Sequence, residues 1–144
     1  MDVHTKEIRS KNMSAIRRSD TKPEMLLRKA LWQRGLRYRK DDPRVFGRPD
    51  ITFFRRKIAI FIDSEFFHGK DWEKTKYRIK TNRDFWWSKI EKNIQRDRIV
   101  VNTLRKEGWK VIRIWDKFLV KNLANCISKI EEVYHAEEVF RDKN

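Results

Sequence analysis

Two aspartates, a histidine and a glutamate are the residues whose type and spacing could carry chemistry in this chain. In Gly47-Arg48-Pro49-Asp50, the proline lacks an N–H and has a fixed φ, so it stiffens the entry to a strand and lets Asp50 project its carboxylate from the strand end. Thirteen residues later Asp63 closes the partner strand, and in a hairpin of that length both ends meet at one sheet edge. Two carboxylates at such an edge suit a hard cation, Mg²⁺ above all, which takes oxygen ligands and keeps several waters. That ion polarises a phosphodiester and lowers the pKa of an attacking water. The same aspartates would also serve as turn caps or as partners of nearby arginines, and spacing alone leaves both readings open. His68, five residues past Asp63 and behind Phe66 and Phe67, could move a proton at neutral pH. Lone histidines are more often structural. Glu24 stands three residues after Thr21, where a capping box already accounts for it.

Composition says what such a site would act on. The chain has 144 residues, with 36 Lys and Arg against 21 Asp and Glu, a formal net charge of +15 and a pI near 10.2. This length fits one domain. Nine Phe and six Trp exclude a disordered basic tail, which would be poor in aromatics. The longest apolar run, Ile58 to Ile62, is too short to span a bilayer, and the first residues hold no stretch of signal-peptide length. A cytoplasmic protein without a membrane partner is therefore expected. Cys126 is the only cysteine, so an internal disulfide and a cysteine-based zinc site are both excluded. The surplus of positive charge points to a polyanion, and nucleic acid is the abundant candidate. Basic binding modules share this feature, so charge alone does not establish catalysis.

The elements that must position these residues follow from local pattern. Residues 1–20 read as a basic, weakly amphipathic arm, and 21–144 as the domain. A helix is expected from Thr21 to Gly35 through Leu27, Ala30 and Leu31, with a short edge strand within Leu36–Lys40. The prolines and Gly47 make Asp41–Pro49 a loop. Ile51–Phe54 and Ile58–Ile62 form a hairpin whose second strand is buried on both faces. Ser64–Asn82 has no clear period. A long helix then runs to Gly108 on Trp86, Ile90, Ile94, Val101 and Leu104, followed by a strand over Trp109–Trp115 and a last helix from Asn122 to about Phe140. The order predicts one α/β domain with a mixed sheet between helices.

An ordered set of short motifs carries a resemblance. It comprises Arg9-Ser10-Lys11-Asn12-Met13 with Ala15-Ile16, Asp20-Thr21 with Glu24, Gly47-Arg48-Pro49-Asp50, Phe61-Ile62 and Phe66-Phe67-His68. It continues through Phe85-Trp86, Lys89-Ile90, Asn93, Arg96-Asp97-Arg98 and Leu104 with Gly108-Trp109. With these pieces, over roughly Val3 to Asp116, the chain resembles the very-short-patch repair (Vsr) endonucleases, which have a restriction-endonuclease-like core. The resemblance implies a Mg²⁺-dependent nick in one strand of bacterial DNA beside a T:G mismatch left by deamination of 5-methylcytosine. It implies Asp50 as central metal ligand, the backbone carbonyl of Ile62 as a second contact, His68 in proton transfer and Glu24 in support. Phe66, Phe67 and Trp86 fall where the family wedges aromatics into the duplex, and Met13 where the arm presses in from the minor groove. Lys11, Arg48 and Lys89 are expected phosphate contacts, beside Lys92, Arg96 and Arg98.

Two departures matter. Better-known members hold a structural zinc with cysteines and a histidine, whereas here Glu65 and Lys117 stand at two of the cysteine positions, so no structural zinc is expected. A Glu65–Lys117 ion pair is the expected replacement cross-link. Asp63 stands where the family has a histidine, and an aspartate there resembles the wider restriction-like core, which makes Asp63 a further expected metal ligand. Two other readings stand beside a mismatch-directed, monomeric nicking enzyme. One is a site- or structure-specific endonuclease without mismatch preference. The other is a non-catalytic DNA-binding protein, against which the joint presence of Glu24, Asp50, Asp63 and His68 argues.

Overall fold

The computed structural model describes residues 20–143, with side chains as far as residue 136. The expected arm, with Lys11 and Met13, lies outside these residues. Helix α1 (Lys22–Gln33) has Pro23 in its first turn and buries Glu24, Leu27 and Leu31 along one stripe. Strands β1 (Arg39–Lys40), β2 (Ile51–Phe53) and β3 (Ile58–Asp63) form an antiparallel meander. A short helix α2 (Trp72–Thr75) and one 3₁₀ turn (Lys76–Arg78) lead into the long helix α3 (Arg83–Lys106). That helix is the crossover to β4 (Lys110–Trp115), which pairs parallel to β3 from Ile58↔Lys110 to Asp63↔Trp115. Helices α4 (Asp116–Lys121) and α5 (Leu123–Lys143) complete the chain. The sheet order is β1-β2-β3-β4, a mixed sheet between helices of the restriction-endonuclease-like kind.

Strand alternation divides the core into two layers. Ile58, Ile60 and Ile62 of β3, with Ile51 and Phe53, pack against Leu27 and Leu31 of α1, Leu119 of α4, and Ile127 and Ile130 of α5. Ala59 and Phe61 point the other way, onto Val100 and Leu104 of α3 and onto Val45 and Trp109. All six residues of β3 are buried, as expected for the central strand. The final helix starts at Leu123, one residue after the expected Asn122, and a further short helix that the sequence did not suggest begins at Asp116, directly at the end of β4. Two sequence expectations need correction. On α3 the buried residue is Val100 rather than Val101, since position 100 lies one turn before Leu104 on the sheet-facing stripe. The hydroxyl of Thr21 makes no capping bond, and Glu24 Oε2 instead accepts the Asp20 N–H at 2.8 Å.

Candidate active site

The Asp50 carboxyl is set by a loop pressed onto α3. Gly47 has φ of +82°, and a Cβ there would lie 2.5 Å from Val100 Cγ1, so only glycine lets this turn seat itself. Pro49 is fully buried, and Asp50 Oδ2 accepts the Ile62 N–H at 2.6 Å. The Asp50 side chain also shares a hydrogen bond with Glu24 of α1, which is itself buried. Burial pushes the Asp50 carboxyl up to about 7, with the charges of Glu24 and Asp41 adding to the rise and the Ile62 N–H opposing it. Burial likewise raises Glu24, against the Asp20 N–H, the bond to Asp50 and the charge of Arg28. Glu24 is buried and Asp50 half-buried, so both carboxyls in contact are shifted toward keeping their protons, and no Lys or Arg among the described residues bonds to Asp50. Such a pair fits a hard divalent cation in place of the proton, with the carbonyl of Ile62 as a further oxygen. Among the described residues no group of three or more His, Cys, Asp or Glu side chains is placed to hold a metal ion by itself. A site of one or two carboxylates plus substrate oxygens is the kind Mg²⁺ uses.

Asp63 and His68 belong to a second group, and no hydrogen bond joins it to Asp50 among the described residues. The Asp63 carboxylate is 6% exposed and is held bidentate by Arg113 of β4, with Nε to Oδ2 and Nη2 to Oδ1 both at 2.7 Å. This is the arginine pairing that the sequence left open beside the metal role. Arg113 Nη2 also lies 3.2 Å from Asp97 Oδ1, and Asp97 Oδ2 bonds His68 Nδ1 at 2.7 Å. The loop carrying His68 is fixed to α3 twice. Gly69, at φ of +65°, leaves room for Ile94, whose Cδ1 would lie 2.6 Å from a Cβ, and Asn93 Nδ2 donates to the Phe67 carbonyl at 2.9 Å. Burial on its own lowers the His68 pKa. The Asp97 bond and the charges of Asp63 and Asp97 outweigh it, so the net shift is upward. A cavity of about 240 Å³ opens on this group, with Arg98 and Trp115 on its walls. Sequence reasoning named Asp97 only within the motif Arg96-Asp97-Arg98 and missed Arg113. Its one signal was an arginine set among the apolar residues Val111, Ile112, Ile114 and Trp115.

The aromatics gather on the surface beside the His68 loop. Phe66 packs on Phe67 and on Trp86 with ring centroids 5.1 and 5.4 Å apart, and Phe85, which the sequence named in a motif but gave no role, joins Trp86 at 5.2 Å. None of the four belongs to either core layer, and Phe66 and Phe85 are 46% and 59% exposed. Lys89 stands 5.7 Å from both the Phe85 and Trp86 rings. Arg48, Lys89, Lys92, Arg96 and Arg98 are all exposed.

The expected Glu65–Lys117 pair does not form. Glu65 pairs with Lys70 at 3.6 Å, because the loop curls back on itself through the Lys70 N–H to Glu65 carbonyl bond. The two strand exits are joined instead by Asp116, whose Oδ1 accepts the N–H groups of Glu65 at 3.3 Å and Lys117 at 2.8 Å.

A carboxyl pair at the edge of a mixed sheet, with a histidine and aromatics nearby on a strongly basic body, is an arrangement that suits a nuclease. Residues 1–74 match the family described as DNA mismatch endonuclease Vsr. The chain is 49% identical over 132 residues to the type II nicking enzyme V.NmeDIP of Neisseria meningitidis serogroup C, covering 92% of this chain and 89% of that protein. It is 55% identical over 123 residues to the type II nicking enzyme V.HpaIIP of Haemophilus parainfluenzae, covering 85% and 87%. To the DNA mismatch endonuclease Vsr of Escherichia coli it is 38% identical over 115 residues, covering 80% and 73%. The chain belongs to the Vsr family and is a DNA endonuclease. Among the described residues no helix is long and apolar enough to cross a membrane.

Proposed function

We propose that this endonuclease nicks one strand of duplex DNA beside a T:G mismatch, as a monomer in the bacterial cytoplasm, with Mg²⁺ held by Asp50 and the Ile62 carbonyl. The observation that carries the mismatch reading is the cluster of exposed Phe66 and Phe85 with half-buried Phe67 and Trp86 next to the His68 loop. Apolar wedges unstack base steps at a cost of a few kcal/mol, least where pairing is already faulty, so a wobble pair opens more cheaply than a matched one. Lys89 and Arg48 then hold backbone phosphates. When bound, Mg²⁺ supplies Lewis acidity at the phosphodiester and lowers the pKa of a coordinated water. Asp50 gives up its proton, and Glu24 keeps the Asp50 carboxylate oriented. The ionised Asp97 can only accept, so it fixes the His68 proton on Nδ1 and leaves Nε2 as the atom that takes and returns a proton.

The second reading is site-directed nicking without mismatch preference. It is favoured by the two type II nicking-enzyme relatives, whose names mention no mismatch. One assay separates the two: strand-labelled duplexes with and without a T:G mismatch, cut in Mg²⁺ by wild type and by Asp50→Ala. Cutting of one strand beside the mismatch, lost in Asp50→Ala, is the expected result. Equal cutting of both duplexes, also lost in Asp50→Ala, would leave the nuclease and remove the mismatch.

A further inference from the structure

We infer that Arg113 is a positioning residue for His68, and that Asp63 anchors this arginine rather than binding the metal. The inference rests on the proposed role of His68 in proton transfer. Both oxygens of Asp63 are engaged by Arg113 and the residue is 6% exposed, so one lone pair on each oxygen is taken and the carboxylate's charge is already balanced by the guanidinium. The guanidinium also stacks over the Phe61 ring with its centre 4.4 Å from the centroid, which fixes its plane. From that fixed plane Nη2 reaches Asp97 Oδ1 at 3.2 Å. One oxygen of Asp97 is thereby tied to β4, and the other faces the imidazole at 2.7 Å.

The chain of contacts runs from the end of β3 through β4 and α3 to the loop after β3. Without the arginine, Asp63 and Asp97 would be two like charges near one imidazole, since His68 Nδ1 is also 3.8 Å from Asp63 Oδ1. The ring would then have two competing acceptors and no fixed orientation. With the arginine in place, Asp63 is neutralised and Asp97 alone holds Nδ1. A planar fork is required for this, because one ammonium cannot present parallel N–H groups to Asp63 while bonding Asp97.

The test uses the full chain and the variants Arg113→Met, Arg113→Lys and His68→Ala. Three readouts are taken: single-turnover nicking at saturating enzyme, affinity for the same duplex, and the ¹⁵N shifts of the imidazole nitrogens at a pH where His68 is neutral. With three histidines in the chain, His68→Ala assigns the His68 signals. The expected result is a nicking rate lowered about 10- to 100-fold in Arg113→Met, the range usual for loss of a group that orients a catalytic one. Affinity should stay within about threefold, and the His68 nitrogens should shift from one defined tautomer toward a mixture. Arg113→Lys keeps the charge and guards against misfolding of the methionine variant. It should move the shifts the same way with a smaller loss of rate. Unchanged His68 shifts in both variants, whatever the rate does, would overturn the inference. If His68→Ala nicks at the wild-type rate, the proton-transfer reading falls, while displaced His68 shifts in Arg113→Met would still establish the positioning.

Discussion

The Asp50 carboxylate accepts the backbone N–H of Ile62 at 2.6 Å, across the mouth of the hairpin and in contact with Glu24. This bond places an acid from the start of β2 against the end of β3, where a peptide carbonyl and a second acid are already present. The arrangement ties metal affinity, stability and pH to one residue.

Metal affinity should depend on pH through Asp50. A cation must displace the proton that the carboxyl holds up to about pH 7. Apparent Mg²⁺ affinity is therefore expected to rise about tenfold per pH unit below 7 and to flatten above it. Calorimetric titration in buffers of different ionisation enthalpy would show one proton released per ion at pH 6 and less at pH 8. A flat profile would remove Asp50 as the linked group.

The same residue should limit stability. Its folded-state pKa of about 7 stands above the ordinary 3.8, so the stability it contributes is fully present below pH 3.8 and is lost as pH rises through 7. The shift corresponds to on the order of 4 kcal/mol, part of which belongs to Glu24. Asp50→Asn stays uncharged and keeps an acceptor for the Ile62 N–H. Without metal it should melt several degrees above wild type at pH 8, with the gap narrowing as pH falls and closing below about 3.8, and it should fail to nick.

The aromatic cluster should matter for DNA and little for folding. Phe66→Ala and Trp86→Ala remove side chains outside both core layers, so melting should barely move. Binding to a mismatched duplex should weaken by about 1–3 kcal/mol per aromatic, measured by fluorescence titration. Leu104→Ala, in the core, should instead cost about 2–5 kcal/mol of stability.

At the loop corner, the carboxylate of Asp116 carries the link. Asp116→Ala should destabilise by about 1 kcal/mol, because it frees the N–H groups of Glu65 and Lys117. Reversing Glu65 or Lys117 alone should change denaturant midpoints little, and reversing both should restore nothing. A rescue by the double reversal would reinstate a direct pair.

Most of the scaffold was legible because its signals are local. The proline before Asp50, the apolar run of β3 and the stops at Gly35 and Gly108 each mark an element boundary by their own chemistry. Glu24 and Asp50 could be singled out from motif positions, but their contact could not, since it depends on α1 meeting the sheet edge. Arg113 and Asp97 were missed as a working pair for a related reason. They lie in β4 and α3, and only the parallel pairing of β3 with β4 sets Arg113 beside Asp63. Glu65 and Lys117 show the opposite error, in which matching charges at aligned positions suggested a pair that a nearer lysine pre-empted.

The two glycine seats on α3 have a geometric consequence. Gly47 rests on Val100 and Gly69 on Ile94, so the loop before Asp50 and the loop bearing His68 are both gauged against one helix. Their contact points are six residues apart, about 9 Å along the axis. The helix thus acts as a ruler that sets the spacing between Asp50 and His68. One residue inserted between Ile94 and Val100 would turn one seat by about 100° and shift it by about 1.5 Å relative to the other. Both halves of the chemistry would then survive as parts, out of register with each other.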